Sequence, residues 1–345
     1  MRLAVVLFNL GGPDSLEAVE PFLRNLFSDP AIISLPAIFR LPLAWLIARR
    51  RAPIAREIYA KIGGRSPILP ETEAQARALE AALGKRGIDA RAFIAMRTSS
   101  PDTDAAARAV AQWAPDRIVL LPLYPQFSTT TTASALGEWK KAARKAGVSA
   151  PQSAICCYPD DEGFVAAEAL LLSRALAARK PGISYRVLFS AHGLPQYVIA
   201  RGDPYAWQVE RSVNAILVRL GDENLDWRIC FQSRVGPLKW LEPATDAEIR
   251  LAGGEGRGLI VVPIAFVSEH SETLVELDIE YRKLARERGV VDYIRVPTVS
   301  VQPAFIEGLA ALVTRAVAGN GPVTCGGGRL CPAERSQCGC ERGAT

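Results

Sequence analysis

The hydrophobic positions of this chain follow two patterns that alternate along its length. Short continuous apolar runs, such as VVLF at residues 5–8 and VLF at 187–189, are typical of strands buried on both faces of a parallel sheet. Most runs precede a stretch whose apolar residues recur every three or four positions, which predicts an amphipathic helix. The predicted strands cover residues 3–8, 90–96, 117–123, 185–189, 227–231 and 258–264, another short strand ends at Cys156 and Cys157, and the predicted helices cover 70–86, 103–113, 135–146, 207–220 and most of 266–281.

The succession of strands and helices repeats in the two halves of the chain. VLFNLGGP near the amino terminus matches VLFSAHGLP after residue 186, and IVLLPL matches LIVVPI. This weak repeat predicts an α/β fold of two doubly wound, Rossmann-like lobes, whose parallel sheets face each other across a cleft. We expect an amino-terminal lobe over residues 1–155, a second lobe over 156–318 and a cysteine-rich tail over 319–345.

Length, charge and motifs restrict the class of protein. A chain of 345 residues with 49% hydrophobic and 22% charged residues suits a soluble protein of two domains. The net charge of +5 is mild and the basic residues form no stripe, so no nucleic-acid partner is expected. Gly11-Gly12-Pro13 is not the dinucleotide-binding fingerprint, which argues against nicotinamide chemistry. No run is long enough to span a bilayer and no cleavable signal is evident, so we expect a cytoplasmic protein.

The only two histidines of the chain, His192 and His270, occupy matched positions. Each closes a Ser-x-His triplet directly after an apolar strand. Ligands of open α/β sheets bind beyond the carboxyl ends of strands, so His192 lies where chemistry is expected. A single histidine in this setting is often a structural hydrogen-bonding residue, but two in matched positions favour a catalytic role.

An acidic stripe follows His270. Glu272, Glu276 and Glu280 are four residues apart and lie on one face of a predicted helix. A solvated acidic face is one interpretation of such a stripe. Because it begins beside a histidine at a strand end, the other interpretation is a path for a divalent cation. The spacing does not match a tetrahedral zinc site.

The segment at residues 35–51 is unusually apolar for a soluble domain. Leucines, Ile47 and Trp45 cluster there, and Arg49-Arg50-Arg51 closes the segment. It is either a core helix or an exposed apolar lip with a basic edge that could contact a membrane or bind a hydrophobic ligand. Aromatic and cationic residues elsewhere, including Tyr124, suit a flat, hydrophobic, anionic ligand.

Taken together, these residues resemble the ferrochelatases, the enzymes that insert ferrous iron into a porphyrin to make haem. The resemblance runs from about residue 7 to about residue 315 and is strongest in motifs that occur in one order. They are LFNLGGPDS, KIGGRSPI, LYPQFSTTTT, LFSAHGLP, RGDPY, CFQSRVGPLKWLEP and VPIAFVSEHSETLVELDIEY. The resemblance implies a class II chelatase-like fold, with ferrous iron and a porphyrin as substrates. The apolar lip and its basic edge favour protoporphyrin IX as the porphyrin and predict at most peripheral contact with the inner membrane.

By this resemblance, His192 takes pyrrole protons or meets the metal, and Glu272 is the carboxylate across the ring, with His270 beside it. Glu276 and Glu280 lie behind Glu272 on an iron path. The residues expected to contact the porphyrin are Leu10, Arg51, Tyr59, Ser66, Arg97, Tyr124 and Trp240.

The tail carries Cys325, Cys331, Cys338 and Cys340, and is either disordered with free thiols or a thiolate metal site holding zinc or an iron–sulfur cluster. Some ferrochelatases carry a [2Fe–2S] cluster in such a tail, and the resemblance therefore implies one here. Adjacent strand residues point to opposite faces, so only one of Cys156 and Cys157 can face the tail. We expect Cys157 to join Cys331, Cys338 and Cys340 as ligands, with Cys325 spare and Cys230 in the core.

Three other functions are weighed against a protoporphyrin enzyme. A coproporphyrin ferrochelatase would need more cations than the apolar lip provides. A non-catalytic tetrapyrrole or metal carrier could share the same fold. An iron–sulfur redox protein would need a second cofactor motif, and none is evident.

Overall fold

The computed structural model describes residues 1–33, 35–234, 236, 238–319, 323–324 and 328–340. The chain divides into two compact units. Unit 1 comprises residues 1–157, 309–329 and 339–345, and unit 2 comprises residues 158–308 and 330–338. The division falls after Cys157, and the chain returns to unit 1 at Leu309. The expected bounds of 1–155, 156–318 and 319–345 stay a prediction.

Unit 1 is built on a five-stranded sheet in the order β2-β1-β3-β4-β9, with all neighbouring strands parallel. Its strands are β1 (Arg2–Asn9), β2 (Asp89–Met96), β3 (Arg117–Pro122), β4 (Gln152–Cys157) and β9 (Val323–Thr324). Its helices are α1 (Val19–Ser28), α2 (Ala37–Ala60), α3 (Ile68–Lys85), α4 (Thr103–Trp113) and α5 (Thr132–Lys145), and α11 (Pro303–Ala318) lies in it from residue 309 onward. The fully buried rings of Phe8 and Trp139 meet edge to face, 6.0 Å apart, in the core between β1 and α5.

Unit 2 is built on a four-stranded parallel sheet in the order β6-β5-β7-β8. Its strands are β5 (Tyr185–His192), β6 (Trp227–Gln232), β7 (Gly258–Val262) and β8 (Tyr293–Arg295). Its helices are α6 (Glu162–Ala177), α7 (Gln196–Ala200), α8 (Tyr205–Leu220), α9 (Thr245–Gly254), a π-helix (Glu272–Tyr281) and α10 (Arg282–Glu287). The prediction of an α/β fold with a parallel sheet in each half of the chain is confirmed.

The acidic stripe lies on a less common kind of helix than predicted. The sequence indicated a largely α-helical segment over 266–281, whereas the structure has a π-helix over Glu272–Tyr281. π-helical turns are rare and frequently occur at functional sites.

Helix α2 settles the two interpretations of the apolar segment in favour of an exposed lip. Alanines supply much of its buried side, whereas large apolar side chains face outward. The exposed fractions are 76% for Ile38, 65% for Phe39, 52% for Leu41 and 46% for Trp45. Among the helices of the described residues, none combines the length and apolarity needed to cross a bilayer.

Candidate active site in unit 2

His192 is the last residue of β5, and β5 lies between β6 and β7 in the sheet. It pairs in register with Gln232, the last residue of β6, and the Gly193 N–H then donates to the Gln232 carbonyl at 2.8 Å. A Cβ at position 193 would lie 2.7 Å from that oxygen, so a glycine is required for this close approach. The chain must therefore turn directly after His192, which leaves the imidazole at the carboxyl edge of the sheet.

The imidazole of His192 faces a carboxylate. Its Nε2 lies 3.7 Å from Oε1 of Glu272, and the two side chains are 40% and 25% exposed. The Nδ1 atom of His192 is buried and has no hydrogen-bond partner among the described residues. The accessible side of the ring is therefore the side that meets Glu272.

His270 lies on the other side of the same carboxylate, with its Nε2 3.8 Å from Oε2 of Glu272. Burial lowers the pKa of His270, so its imidazole is favoured in the neutral form. Its Nδ1 accepts a hydrogen bond from the Glu272 N–H at 3.1 Å, which assigns the proton to Nε2. The Glu272 carboxylate is thus flanked by two imidazole edges, neither within hydrogen-bond distance.

The separation of His192 and Glu272 bears on how the pair meets a ligand. A planar ring between them would need roughly 3.5 Å of clearance on each side, about twice the 3.7 Å between Nε2 and Oε1. The expectation that Glu272 lies across the porphyrin ring from His192 stays a prediction.

Glu276 accepts hydrogen bonds on both carboxylate oxygens. Oε1 accepts from the Ser233 N–H at 2.8 Å and from the Tyr281 hydroxyl at 2.9 Å. Oε2 accepts from the Ser233 hydroxyl at 2.5 Å and from Gln232 Nε2 at 3.2 Å. Burial and the neighbouring charge of Glu272 raise the pKa of Glu276. Glu280, in contrast, is exposed at the solvent side of the helix.

A network that sequence reasoning missed supports the first turn of the π-helix. Arg295, nearly buried, pairs with Glu269 at 2.8 Å and with Asp278 at 2.7 Å. The Thr273 hydroxyl donates to the same Glu269 carboxylate at 2.5 Å. Gln232 and Ser233 were also not predicted as site residues. Their polar side chains stand at the end of a buried strand, and the same pattern identified His192.

Trp240 packs against the loop that follows His192. It forms an antiparallel bridge with Pro195, and the Leu241 N–H donates to the Leu194 carbonyl at 2.9 Å. Its indole Nε1 is buried and makes no hydrogen bond within the described part of the chain. The structure thus places this predicted ligand-contact residue beside the candidate catalytic histidine.

The other predicted porphyrin-contact residues all belong to unit 1. Arg97 pairs with Asp29 at 2.6 Å and donates to Ser134 at 3.1 Å. Tyr59 and Ser66 are buried, with Tyr59 edge to face on Phe22.

Within the same unit, Arg51 is exposed and lies over the Phe27 ring at 5.9 Å. Leu10 and Tyr124 are partly buried, and burial raises the pKa of the Tyr124 phenol. The contacts of these residues with a porphyrin stay predictions.

The tail brings thiols together at the end of β4. The sulfur atoms of Cys156 and Cys340, both in unit 1, lie within 4.8 Å of each other. Gly339 makes this approach possible, because a Cβ there would lie 2.9 Å from the Cys156 sulfur and 2.6 Å from the Phe127 ring. The expected quartet named Cys157, whose backbone pairs in register with Thr324 on β9. Cys156 points to the face on which Gly339 packs, and which of the two adjacent thiols is a ligand stays a prediction.

The remaining cysteines are accounted for as follows. Cys331 is buried, and its sulfur accepts a hydrogen bond from Gln208 Nε2 at 3.1 Å. Cys230 is fully buried, as expected of a core residue, and burial raises the pKa of its thiol to about 12. Cys325 lies outside the described residues. The close thiols of Cys156 and Cys340 and the Cys331 sulfur that accepts an N–H bond are donors of a kind that fits a thiolate-bound cluster.

Comparison with known proteins identifies the family. The ferrochelatase family model matches residues 2–317. The chain is 55% identical to a ferrochelatase of Phenylobacterium zucineum over the whole of both chains, and 53% identical to one of Caulobacter vibrioides over all of this chain and 99% of that protein. The sirohydrochlorin chelatase SirB of Bacillus subtilis, solved with cobalt, shares the fold at 14% identity, with a TM-score of 0.52 over 92% of this chain and 96% of SirB. The chain therefore belongs to the ferrochelatase family.

Proposed function

We propose that this chain inserts Fe²⁺ into protoporphyrin IX to form protohaem, and that His192 and Glu272 manage the protons released. As a member of the ferrochelatase family it is a metal chelatase, an enzyme of the lyase class. The observation that carries the assignment of residues is the imidazole–carboxylate pair, 3.7 Å apart and partly exposed at the carboxyl edge of a parallel sheet.

The reaction requires a proton acceptor and a bent ring. A porphyrin carries two pyrrole N–H protons, and both must leave as Fe²⁺ binds the four nitrogens. A neutral imidazole suits the first acceptance, and the adjacent carboxylate can stabilise the imidazolium or take a proton from it. Because a planar ring hides its nitrogens, binding energy from the apolar edge and the propionates must go into distorting it.

The position of Glu272 supports a single route for both protons. Its two oxygens face two imidazoles, one exposed and one buried. A proton accepted by His192 can therefore be stabilised by the Glu272 carboxylate, while burial favours the neutral form of His270 on its other oxygen. Each insertion releases two protons, so the pair must return to its starting state after each transfer. The carboxylate also suits a hard ferrous ion, which is the substrate.

The apolar lip of α2 favours protoporphyrin IX over coproporphyrin. Protoporphyrin carries two vinyl groups where coproporphyrin carries two more carboxylates. Ile38, Phe39, Leu41 and Trp45 offer an exposed apolar surface, and the guanidinium of Arg49 lies over the Trp45 ring at 5.4 Å. The same surface with its basic edge suits peripheral contact with an acidic membrane.

Turnover tests the enzyme against a carrier of the same fold. Purified protein is mixed with Fe²⁺ and protoporphyrin IX without oxygen, with the porphyrin in large excess over protein. Many equivalents of protohaem per chain are expected. Formation of a single equivalent, with tight binding of porphyrin, would instead identify a non-catalytic tetrapyrrole carrier.

A [2Fe–2S] cluster on the tail is part of the proposal. Its ligands are Cys331, Cys338, Cys340 and one thiol of the adjacent pair Cys156 and Cys157. The contacts of Cys156 and the hydrogen bond to Cys331 support a thiolate site here. When bound, such a cluster supplies electron-transfer capacity in principle, but in this chain its ligands support the fold of the tail. His192, Glu272 and His270 belong to unit 2 and need no thiol for their chemistry.

A further inference from the structure

Glu276 is the most completely hydrogen-bonded carboxylate described around the π-helix. Two donors contact each oxygen: the Ser233 N–H and the Tyr281 hydroxyl on Oε1, the Ser233 hydroxyl and Gln232 Nε2 on Oε2. A carboxylate offers about four lone-pair directions, so this one has none left for a passing cation. Charge-assisted bonds of this kind hold a side chain firmly.

Gln232 joins this carboxylate to both catalytic elements. Its Nε2 also donates to the Glu272 carbonyl at 3.0 Å, and its Oε1 accepts from the Ser190 hydroxyl of β5 at 2.8 Å. Its own backbone pairs with His192 and accepts from Gly193. One fully buried amide therefore contacts the strand that ends in His192 and the helix that begins with Glu272.

Ser233 adopts a backbone conformation that serves this contact. Its φ of 61° lies in the left-handed region, which non-glycine residues seldom occupy. In this conformation both its N–H and its hydroxyl reach Glu276. Residues held in such conformations persist only when the surroundings determine them, and they cluster at functional sites.

No direct hydrogen bond between the two side chains sets the separation of His192 and Glu272. At 3.7 Å the two side chains do not hydrogen-bond, and His270 contacts Glu272 through the backbone N–H. The position of the Glu272 carboxylate therefore depends on where the first turn of the π-helix is held.

We propose that Glu276, clamped by Gln232 and Ser233, is a positioning residue that fixes the distance between Glu272 and His192. This role, which rests on the proposed function, replaces the predicted role of Glu276 on an iron path. Tyr281 completes the clamp from the far end of the π-helix.

Steady-state kinetics separate the two roles of Glu276. Glu276→Gln presents an amide N–H₂ to at least one of the four donors, so the clamp cannot close. We expect kcat to fall tenfold or more while the KM for Fe²⁺ stays within about twofold. An iron-path residue would give the opposite result, a raised KM for Fe²⁺ with kcat retained at saturating metal, and that result would overturn the proposal.

Ser233→Gly is the second, milder variant. It keeps the backbone N–H, relieves the left-handed backbone and removes the hydroxyl donor. Ser300→Gly is its matched control, because Ser300 also has a positive φ, of 40°, but makes none of the clamp contacts recorded at Glu276. We expect a loss of kcat in Ser233→Gly and none in Ser300→Gly. Equal losses of kcat in the two variants would mean that the change of backbone conformation alone is responsible, and this would count against the clamp.

Histidine NMR gives a readout that does not depend on activity. Because the chain has two histidines, ¹³Cε1-labelled histidine yields two signals, assigned with His192→Gln. We expect Glu276→Gln and Ser233→Gly to shift the His192 signal, and Ser300→Gly to leave both in place. Unshifted signals in both clamp variants would overturn the proposal. Failure of the wild-type protein to insert iron would instead count only against the proposed function, because the NMR signals do not depend on activity.

Discussion

Nε2 of His192 and Oε1 of Glu272 lie 3.7 Å apart, although one ends a strand and the other begins a π-helix. The two groups come from neighbouring elements at the carboxyl edge of the unit 2 sheet. A carboxylate at this distance can receive a proton from the imidazole after a small movement. The pair is therefore suited to repeated acceptance and release of a proton.

Removal of either member of this pair should abolish or slow insertion while porphyrin still binds. We expect His192→Ala to lower the rate by about 100-fold or more, the usual contribution of a general base. Glu272→Gln should lower turnover more than it lowers porphyrin affinity. Rates of protohaem formation and fluorescence titration with porphyrin give both quantities.

The control for these variants is Glu287→Gln. Glu287 is exposed on α10 and contacts only Lys283, at 3.9 Å, among the ion pairs of the described residues. Its substitution should leave rate and affinity unchanged. A near-normal rate in His192→Ala or Glu272→Gln would show that the role assigned to that residue is wrong.

The porphyrin substrate follows from the character of the lip. We expect insertion into protoporphyrin IX to be faster than insertion into coproporphyrin at equal concentrations, because the exposed side chains of α2 are apolar. Anaerobic rates with the two porphyrins measure the preference. A clear preference for coproporphyrin would refute the protoporphyrin assignment and leave the metal chemistry unaffected.

Peripheral membrane contact is expected to depend on the same lip. Phe39→Glu should reduce co-sedimentation with vesicles that contain phosphatidylglycerol, because it places a charge on the apolar surface and opposes the anionic lipid. Val218→Glu is the matched control, since Val218 is 82% exposed on α8, in the other unit. Equal binding of both variants and of the wild type to the vesicles would show that the lip does not contact the membrane.

The thiol ligands can be assigned by replacing each of the seven cysteines by serine. We expect the visible absorption, the iron and the sulfide to be lost in the variants of Cys331, Cys338 and Cys340, and to be retained in those of Cys230 and Cys325. Between Cys156 and Cys157, one variant should lose the cluster and the other keep it, because adjacent strand residues face opposite sides. Zinc in place of iron, or retention of the cluster in all seven variants, would contradict a [2Fe–2S] site.

Glu168 predicts a pH dependence of stability that is unrelated to catalysis. It is 1% exposed on α6, and neither carboxylate oxygen has a hydrogen-bond partner among the described residues. Burial raises its pKa from 4.5 to about 8. The folded state therefore keeps the proton over a pH range in which the unfolded state has lost it, so stability falls as the pH rises from about 4.5 to about 8.

Glu168→Gln cannot ionise and should remove this fall. The free energy of unfolding of the variant minus that of wild type should increase with pH, by up to about 1.4 kcal/mol per pH unit within that window. Denaturant unfolding at pH 5.5 and 8 measures the difference, with Glu287→Gln as the exposed control. A difference that does not change with pH would mean that Glu168 is ionised in the folded protein.

The sequence by itself determined the fold class, the family and the histidines. Continuous apolar runs identify buried parallel strands because both faces of such strands exclude water. His192 could be placed because the residues after a strand, here glycine and proline, force a turn at the edge of the sheet. These are local properties of neighbouring residues, and the sequence contains them in full.

Only the tertiary structure decided how the site is assembled. The 3.7 Å separation of His192 and Glu272 depends on the pairing of β5 with β6 and on a π-helix that spacing alone does not distinguish from an α-helix. The clamp on Glu276 requires the left-handed backbone of Ser233, and the exposure of α2 depends on which of its faces packs against α1. The approach of Gly339 to the Cys156 sulfur is likewise a contact between segments that are distant in the chain. Each of these features joins residues far apart in sequence, and their contacts arise from packing in three dimensions.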